Sequence, residues 1–152
     1  MGRRPVVERF RLRAAVHLFL IRGEEVLLLR RFNTGYEDGN YSVIAGHLDG
    51  DEEVTSAALR EAREEAGIAI APEDVTVVGV MHRRAADERI DFFLTASRWA
   101  GAITNREPDK CDALAWFSLN HLPANVVPYV RRALDNYWHG RWFDSHGWPG
   151  AR

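Results

Sequence analysis

Residues 53 to 66 place the strongest constraint on the fold, because their apolar and acidic positions fit neighbouring faces of one α-helix. At about 100° per residue, Glu61, Glu64 and Glu65 share one arc of the helix surface. The adjoining apolar arc is formed by Ala58, Leu59, Ala62 and Ala66. Gly67 suits the left-handed position just past a helix end, so it ends the predicted helix. The apolar arc predicts packing against other elements, and the acidic arc needs a separate explanation.

The acidic arc has two interpretations. It is either a solvated face with ion pairs, for which Arg60 and Glu64 have the right spacing, or a cation-binding face. Glu64 and Glu65 lie in the last turn, where the helix dipole disfavours each acid by about 0.3 to 1 kcal/mol. A divalent cation would remove that penalty and the mutual repulsion, and carboxylate oxygens are ligands that Mg²⁺ and Mn²⁺ prefer. The pattern favours a metal-binding helix.

The rest of the chain predicts mixed α and β structure. The segment from residue 13 to residue 22 is apolar at both alternate sets of positions, as expected of a strand covered on both faces. Further strands are predicted at residues 26–32, 41–45, 75–82, 90–97 and 113–119, and a second helix at 126–138. The tail, residues 139–152, contains Trp142, Phe143 and Trp148. It is too aromatic to be freely disordered and is expected to pack on the body or on a partner subunit.

Composition narrows the class of protein. A chain of 152 residues with 46% hydrophobic side chains predicts one domain, residues 1–152. The lone Cys111 cannot form an intrachain disulfide, which favours the cytoplasm. No apolar stretch approaches the roughly 20 residues of a membrane helix. The net charge of −2 gives no general basic field, so neither a membrane nor a nucleic-acid polymer is the expected partner.

A motif spans residues 46–68. The sequence reads GHLDGDE, then seven residues, then REAREEAGI. It resembles the Nudix box, G-x5-E-x7-R-E-U-x-E-E-x-G-U, where U is a bulky aliphatic residue, and each fixed position matches. Ala62 is smaller than the usual aliphatic residue. The strand order around the box is similar to the family's α/β/α sandwich with a mixed β-sheet, so the resemblance implies that fold.

The resemblance also implies a metal site that binds Mg²⁺ or Mn²⁺. Its main ligands would be Glu61, Glu64 and Glu65, with Glu61 also chosen as the general base. Arg60 and Glu52 would orient them.

The resemblance implies two further parts of that site outside the helix. Ala45 stands where the family usually has a glycine whose carbonyl binds metal, so the site requires that alanine tolerate the local backbone angles; Gly46 would lie against substrate. The distal acidic ligand is expected just before the strand at 113–119. We choose Glu107 there, with Asp109 and Asp112 as alternatives.

The implied activity is metal-dependent hydrolysis of a nucleoside diphosphate linked to another group. Beyond the box the chain resembles MutT-type enzymes, which convert nucleoside triphosphates, often oxidised, to monophosphates and pyrophosphate. Arg31, Arg89 and Asn125 are the expected substrate-binding residues. Asn125 could instead cap the second helix, and Arg31 could belong to a solvated strand end.

The substrate and the assembly stay open at the level of sequence. Phe92 and Phe93 point to opposite faces of their strand, so at most one of them can stack on a base. A pyrophosphatase of ADP-ribose, nucleotide sugars or dinucleotides is the alternative enzyme, and a non-catalytic Nudix-fold ligand sensor is the alternative of another class. The chain could be a monomer or a homodimer.

Overall fold

The structure is a computed structural model that describes residues 2–5 and 7–150. In chain order its strands are β1 (Arg13–Arg22), β2 (Glu25–Arg31), β3 (Tyr41–Ser42), β4 (Ile44–His47), β5 (Thr76–Arg84), β6 (Glu88–Ala96), β7 (Cys111–Ser118) and β8 (Phe143–His146). Its helices are α1 (Val54–Ala66) and α2 (Pro128–Trp138), and Pro72–Asp74 forms one turn of 3₁₀ helix.

The sheet is mixed, as the sequence predicts. Its main path runs β3-β2-β1-β6-β5-β8, with β4 also paired to β1 and β7 to β2. The β1–β6 and β5–β8 pairs are parallel, whereas β1–β4 and β5–β6 are antiparallel. The expected α/β/α sandwich is confirmed, because α1 and α2 pack on opposite faces of this sheet.

Strand β1 carries the core on both of its faces. Leu18 and Leu20 pack with the alanine face of α1, whereas Phe19 packs with Val130 and Leu134 of α2. Burial of a side chain of this size stabilises the fold by about 1.5 to 3 kcal/mol. The two-sided apolar pattern of residues 13–22 therefore predicted both helix-packing layers.

Helix α1 begins and ends close to its predicted limits. The Glu53 carboxylate caps it by accepting hydrogen bonds from the backbone amides of Thr55 and Ser56. Gly67 follows the last turn with φ 68°, the left-handed conformation expected of it. Small alanines let the helix lie close against β4 and β1, and this places Glu61 and Glu65 of the acidic arc beside β4.

Two expectations need correction. The predicted strand at 41–45 is divided into β3 and β4, which pair with β2 and β1 respectively. Helix α2 begins at Pro128 with Val127 in the N-cap position, so the prediction that Asn125 caps it is wrong.

The aromatic tail packs on the body of the same chain. Strand β8 pairs with β5, and the Trp148 indole N–H donates to the His82 carbonyl oxygen at 3.0 Å. The last two residues of the tail, 151 and 152, lie outside the described residues. In the part of the chain that is described, no helix is both long enough and apolar enough to cross a membrane.

Candidate functional site

A cleft of about 530 Å³ opens where β2, β4 and α1 meet the loop that precedes β7. Three acidic residues line it: Glu61 and Glu65 from α1, and Glu107 from the loop. Its basic lining residues are Arg30, Arg31 and Lys110. A concave site lined by charges of both signs is suited to a phosphorylated ligand bound together with cations.

Gly46 makes room for the Glu61 carboxylate. A Cβ at Gly46 would lie 1.9 Å from Glu61 Oε1 and 2.2 Å from its Cδ, distances that real atoms cannot adopt. Its φ is not in the left-handed range, so glycine is required here by space rather than by backbone conformation. We expected Gly46 to lie against substrate. In the structure the Gly46 backbone packs against the Glu61 carboxylate.

Ala45 positions Glu65 through its backbone. Its amide donates to Glu65 Oε2 at 2.9 Å, which ties helix α1 to strand β4 inside the cleft. Among the described non-glycine residues, those with positive φ are Asn33, Glu37 and Asp51. Alanine thus takes an ordinary conformation at position 45, as the metal site required of it.

The pKa values of Glu61 and Glu65, the two α1 glutamates that line the cleft, are both raised. Burial raises the pKa of Glu61, although the neighbouring Arg60 opposes that rise. Burial raises the pKa of Glu65 well above its ordinary value, and the charge of Glu61 adds to the effect. A nearby cation would offset the repulsion between these carboxylates and lower their pKa values.

Arg60 joins the acidic residues of the box. Its guanidinium donates to both carboxylate oxygens of Glu52, at 2.8 and 2.9 Å, and to Glu61 Oε1 at 2.8 Å. The hydrogen bond from Arg60 holds the pKa of Glu52 below its ordinary value. Arg60 also bonds Glu64 at 3.3 Å. Glu64 is exposed, pairs with Arg60 as the helical spacing predicts, and does not line the cleft.

The NUDIX domain family model matches residues 11–143. This chain belongs to the Nudix family. It is 32% identical over 113 residues to the NAD-capped RNA hydrolase NudC of Pseudomonas aeruginosa, a match that covers 74% of this chain and 38% of that protein. The chain therefore spans about two fifths of the length of this curated relative.

Solved structures agree with the family assignment. The MutT Nudix hydrolase of Burkholderia pseudomallei superimposes with a TM-score of 0.75 and 29% identity, covering 83% of this chain and 98% of that one. The MutT protein of Bacillus halodurans gives a TM-score of 0.70 at 18% identity, covers 93% of this chain and 94% of that one, and supports the fold alone.

The three candidates for the distal acid of this Nudix site differ in position. Glu107 lines the cleft, and its backbone amide donates to Asn105 Oδ1 at 3.1 Å. Asp112 is paired with Arg30 at 2.7 Å, and Asp109 is exposed and outside the lining. Glu107 is thus the one of the three that shares the cleft with Glu61 and Glu65.

The candidate substrate residues are not brought together. Arg31 lines the cleft, but its guanidinium donates to the Tyr36 carbonyl oxygen at 2.7 Å and to Thr34 Oγ1 at 3.0 Å. Arg89 is held in the β5–β6 hairpin by Asp87, at 2.9 Å, and is absent from the lining.

Asn125 also stands apart from the cleft lining. Its side-chain amide donates to the Gly39 carbonyl oxygen at 2.9 Å, and so links the segment before α2 to the loop before β3. The side-chain amide that was expected to bind substrate is therefore engaged within the protein.

Sequence reasoning missed a buried polar cluster behind β4. Arg83 bonds Asp91 at 2.7 Å, and His17 Nε2 lies 2.9 Å from the Tyr129 hydroxyl. Burial lowers the pKa of His17 to about 4, so this imidazole is neutral at neutral pH. The signal available in the sequence was a histidine, His17, in an otherwise apolar strand. In the structure His17 lies opposite Ala45 in the pairing of β1 with β4.

The cleft residues fit a divalent metal by their donor chemistry. In the part of the chain that the structure describes, no three His, Cys, Asp or Glu side chains form a ready-made ligand group. Even so, Glu61, Glu65 and Glu107 line one cleft, and burial and neighbouring negative charge raise the pKa values of the first two. Carboxylates of this kind suit Mg²⁺ or Mn²⁺.

Proposed function

We propose that this Nudix chain is a pyrophosphohydrolase that cleaves a nucleoside diphosphate linked to another group, with Mg²⁺ or Mn²⁺. The observation that carries the proposal is the convergence of Glu61, Glu65 and Glu107 on one cleft that also contains Arg30 and Lys110. Acids can hold cations beside the scissile bond while basic residues neutralise the outer phosphates. Membership of the Nudix family supports the same class of enzyme.

The chemistry divides between the metal and the protein. Bound divalent metal would neutralise phosphate charge and make water more acidic. Glu61 is assigned the role of general base, which typically contributes about 10²- to 10⁴-fold to rate. Arg60 orients Glu61 and Glu52, the Ala45 amide orients Glu65, and the Ala45 carbonyl and Glu64 complete the proposed ligand set.

A nucleoside triphosphate is the first candidate substrate. The structural similarity to MutT proteins, which extends over nearly the whole of the Burkholderia chain, supports it. Arg31 lines the cleft and would contact phosphate if it exchanged its bonds with Tyr36 and Thr34 for the ligand. Contacts from Arg89 and Asn125 would require movement of their side chains away from Asp87 and Gly39.

A dinucleotide end such as NAD is the second candidate. The seven curated relatives are all named NAD-capped RNA hydrolase NudC. The bond between the two halves of a dinucleotide is the same pyrophosphate linkage, so the cleft residues would act in the same way.

The single Cys111, a buried free thiol, is compatible with the cytoplasmic location that we also propose.

A substrate panel tests the proposal. The protein is incubated with nucleoside triphosphates, NAD, ADP-ribose and nucleotide sugars, each with Mg²⁺ or Mn²⁺, and nucleoside monophosphate, pyrophosphate and phosphate are quantified. We expect metal-dependent release of a monophosphate from at least one class. Tight binding of a nucleotide without turnover under either metal would instead identify a ligand sensor.

A further inference from the structure

Arg31 differs from Arg30 and Lys110, the other two basic residues of the Nudix cleft, in the partners of its side chain. Arg30 and Lys110 each have a carboxylate partner, Asp112 at 2.7 Å and Glu107 at 3.9 Å respectively. Between the residues that the structure describes, no ion pair involves Arg31. Of these three cleft residues, Arg31 is therefore the one whose charge is not already committed to a carboxylate.

The guanidinium of Arg31 is held by neutral groups of the loop that follows β2. We define the cleft loop as residues 33–38, of which Asn33 and Thr34 line the cleft. Arg31 donates to the Tyr36 carbonyl oxygen at 2.7 Å and to Thr34 Oγ1 at 3.0 Å, and its guanidinium carbon lies 5.2 Å from the centre of the Tyr36 ring. Hydrogen bonds in which a partner is ionised are roughly twice as strong as those between neutral groups, and a bond between two ions gains the attraction of both charges. An anionic phosphate group in the cleft can therefore compete with the loop for Arg31.

Asp38 fixes the conformation in which the cleft loop holds Arg31. Its carboxylate accepts hydrogen bonds from the Thr34 hydroxyl at 2.5 Å and from the backbone amides of Thr34 and Gly35, at 3.0 and 2.9 Å. The bond from the Thr34 hydroxyl, followed by that from the Gly35 amide, lowers the pKa of Asp38 below its ordinary value, so this carboxylate is charged at neutral pH. Asp38 is exposed and does not line the cleft, so it can act on Arg31 through the position of Thr34.

The base of the cleft loop is fixed independently of the Arg31 side chain. The Gly39 amide donates to the Arg31 carbonyl oxygen at 2.8 Å, and the Arg31 amide donates to the Asn40 carbonyl oxygen at 2.9 Å. Within the loop, Glu37 has a φ of 51°, in the left-handed range that disfavours residues with a side chain. Strained positions of this kind cluster at ligand clamps and switch segments. The side-chain bonds at the tip of the loop can thus change while the backbone at its base stays paired.

We propose that Thr34 and Asp38 are positioning residues that set the phosphate affinity of Arg31. They hold its guanidinium in the cleft loop until a phosphate group of the ligand takes it over, and the loop recovers it when that phosphate leaves. This exchange costs part of the binding free energy of substrate and product alike, and it therefore favours product release. The inference rests on the proposed hydrolytic function and adds to it a pair of residues that act through Arg31.

The test measures the affinity of the protein for inorganic pyrophosphate with Mg²⁺ by isothermal titration calorimetry. Thr34→Val keeps the branched shape of the side chain and removes the hydroxyl that accepts from Arg31, whereas Thr34→Ser keeps a hydroxyl. Loss of one such bond changes an equilibrium constant by about 2- to 10-fold. We expect Thr34→Val to lower Kd by that factor and Thr34→Ser to resemble the wild type.

Two further variants show whether the effect belongs to the cleft loop. Asp38→Ala removes the carboxylate that positions Thr34, so it should lower Kd for pyrophosphate in the same direction as Thr34→Val. The exposed Thr76→Val, at the start of β5, is the matched control and should leave Kd unchanged. With any substrate that is hydrolysed, Thr34→Val should lower KM without raising kcat.

A double-variant cycle shows whether the effect passes through Arg31. Arg31→Gln should weaken pyrophosphate binding, and in that background Thr34→Val should have no effect. In the wild type the ¹⁵N-edited resonance of the Arg31 Nε–H, identified by its loss in Arg31→Gln, should shift when pyrophosphate is added. These measurements need no turnover, so tight binding of pyrophosphate by a protein that hydrolyses no substrate would overturn the proposed function alone.

Two results would overturn the role assigned to Thr34 and Asp38. One is a Thr34→Val protein that binds pyrophosphate no more tightly than the wild type does. The other is a gain in affinity that persists in full in the Arg31→Gln background, or an Arg31 Nε–H resonance that is the same with and without bound pyrophosphate. Either form of the second result would show that the guanidinium is not exchanged between the loop and the phosphate.

Discussion

Gly46 and Glu61 are coupled by contact, and this coupling can be measured. A Cβ at Gly46 would overlap the Glu61 carboxylate, so Gly46→Ala should destabilise the fold by about 1 to 3 kcal/mol, the usual cost of overpacking. In a Glu61→Ala background the overlapping atoms are gone, and most of that cost should disappear. Urea unfolding of the four proteins gives the coupling energy. Equal costs in both backgrounds would contradict the proposed contact.

Glu65 tests whether the cleft acids serve function rather than stability. Glu65→Gln keeps an oxygen that can accept from the Ala45 amide and removes a carboxylate that burial and Glu61 disfavour. We expect turnover to fall by about 10- to 100-fold or more, as for the loss of a group that holds a metal site together, while the melting temperature is unchanged or higher.

The exposed Glu73→Gln is the matched control for Glu65→Gln and should retain full activity. Glu64→Gln is a useful comparison within α1, since Glu64 lies outside the cleft lining in this structure. Normal turnover in Glu65→Gln would exclude Glu65 as a functional ligand. Normal turnover in Glu64→Gln alone would restrict the site to Glu61, Glu65 and Glu107.

At the scale of elements, local sequence patterns predicted the helices and strands whose apolar positions repeat with a regular period. The apolar positions and Gly67 of α1, and the two-sided apolar run of β1, need only helix and strand periodicity. Strand β8 could not be predicted in this way, because its hydrogen bonds are to β5, more than 60 residues earlier. The start of α2 was placed two residues early, because Val126 and Val127 are buried as apolar residues before the helix begins.

A partly buried ion pair ties β8 to α2, in addition to the backbone pairing of β8 with β5. Asp144 bonds Arg132 at 2.5 Å and Asn136 at 2.9 Å, both on α2. Burial alone would raise the pKa of Asp144, but these bonds outweigh it and lower the pKa below its ordinary value. A lowered folded-state pKa means that the stabilisation is present above the unfolded value, about 3.9, and is lost as pH falls through the folded value.

We expect Asp144→Ala to release β8 without unfolding the rest of the chain. Hydrogen exchange at Val80–Arg83, the partners of β8, should accelerate at pH 7 and match that of the wild type in acid, where Asp144 is protonated. Asp135→Ala is the control, because its partner His139 is exposed. Protection of β5 that is unaffected by Asp144→Ala would show that backbone pairing alone holds the tail.

At the scale of the whole molecule, the sequence predicted the sandwich and most of the acidic cleft. It did not predict the hydrogen-bond partners that the candidate substrate-binding side chains have within the protein. The Nudix box brings Glu61 and Glu65 to the cleft and Arg60 to Glu52 and Glu61, because one helix and one adjoining loop carry these residues. Glu64, predicted as a ligand beside them, lies outside the cleft lining. Arg89 and Asn125 were chosen by distant resemblance, and each bonds a partner that sequence does not reveal, Asp87 and Gly39. Such partners are set by tertiary pairing rather than by local pattern.

Divalent metal should stabilise the entire fold, because the cleft carboxylates converge only in the native state. A ligand that binds the native state alone adds about 2.7 kcal/mol at a concentration of 100 times its Kd. For a chain of this size each kcal/mol raises Tm by roughly 2 to 4 °C, so saturating Mg²⁺ or Mn²⁺ should raise Tm by roughly 5 to 11 °C.

The control is NaCl at equal ionic strength, which screens the surface ion pairs without binding specifically. A variant with both Glu61→Gln and Glu65→Gln should lose most of the increase, while Glu73→Gln should keep it. An equal rise in Tm for the double variant would place the metal outside this cleft, and the absence of any rise in the wild type at tens of millimolar metal would contradict a metal-dependent Nudix site.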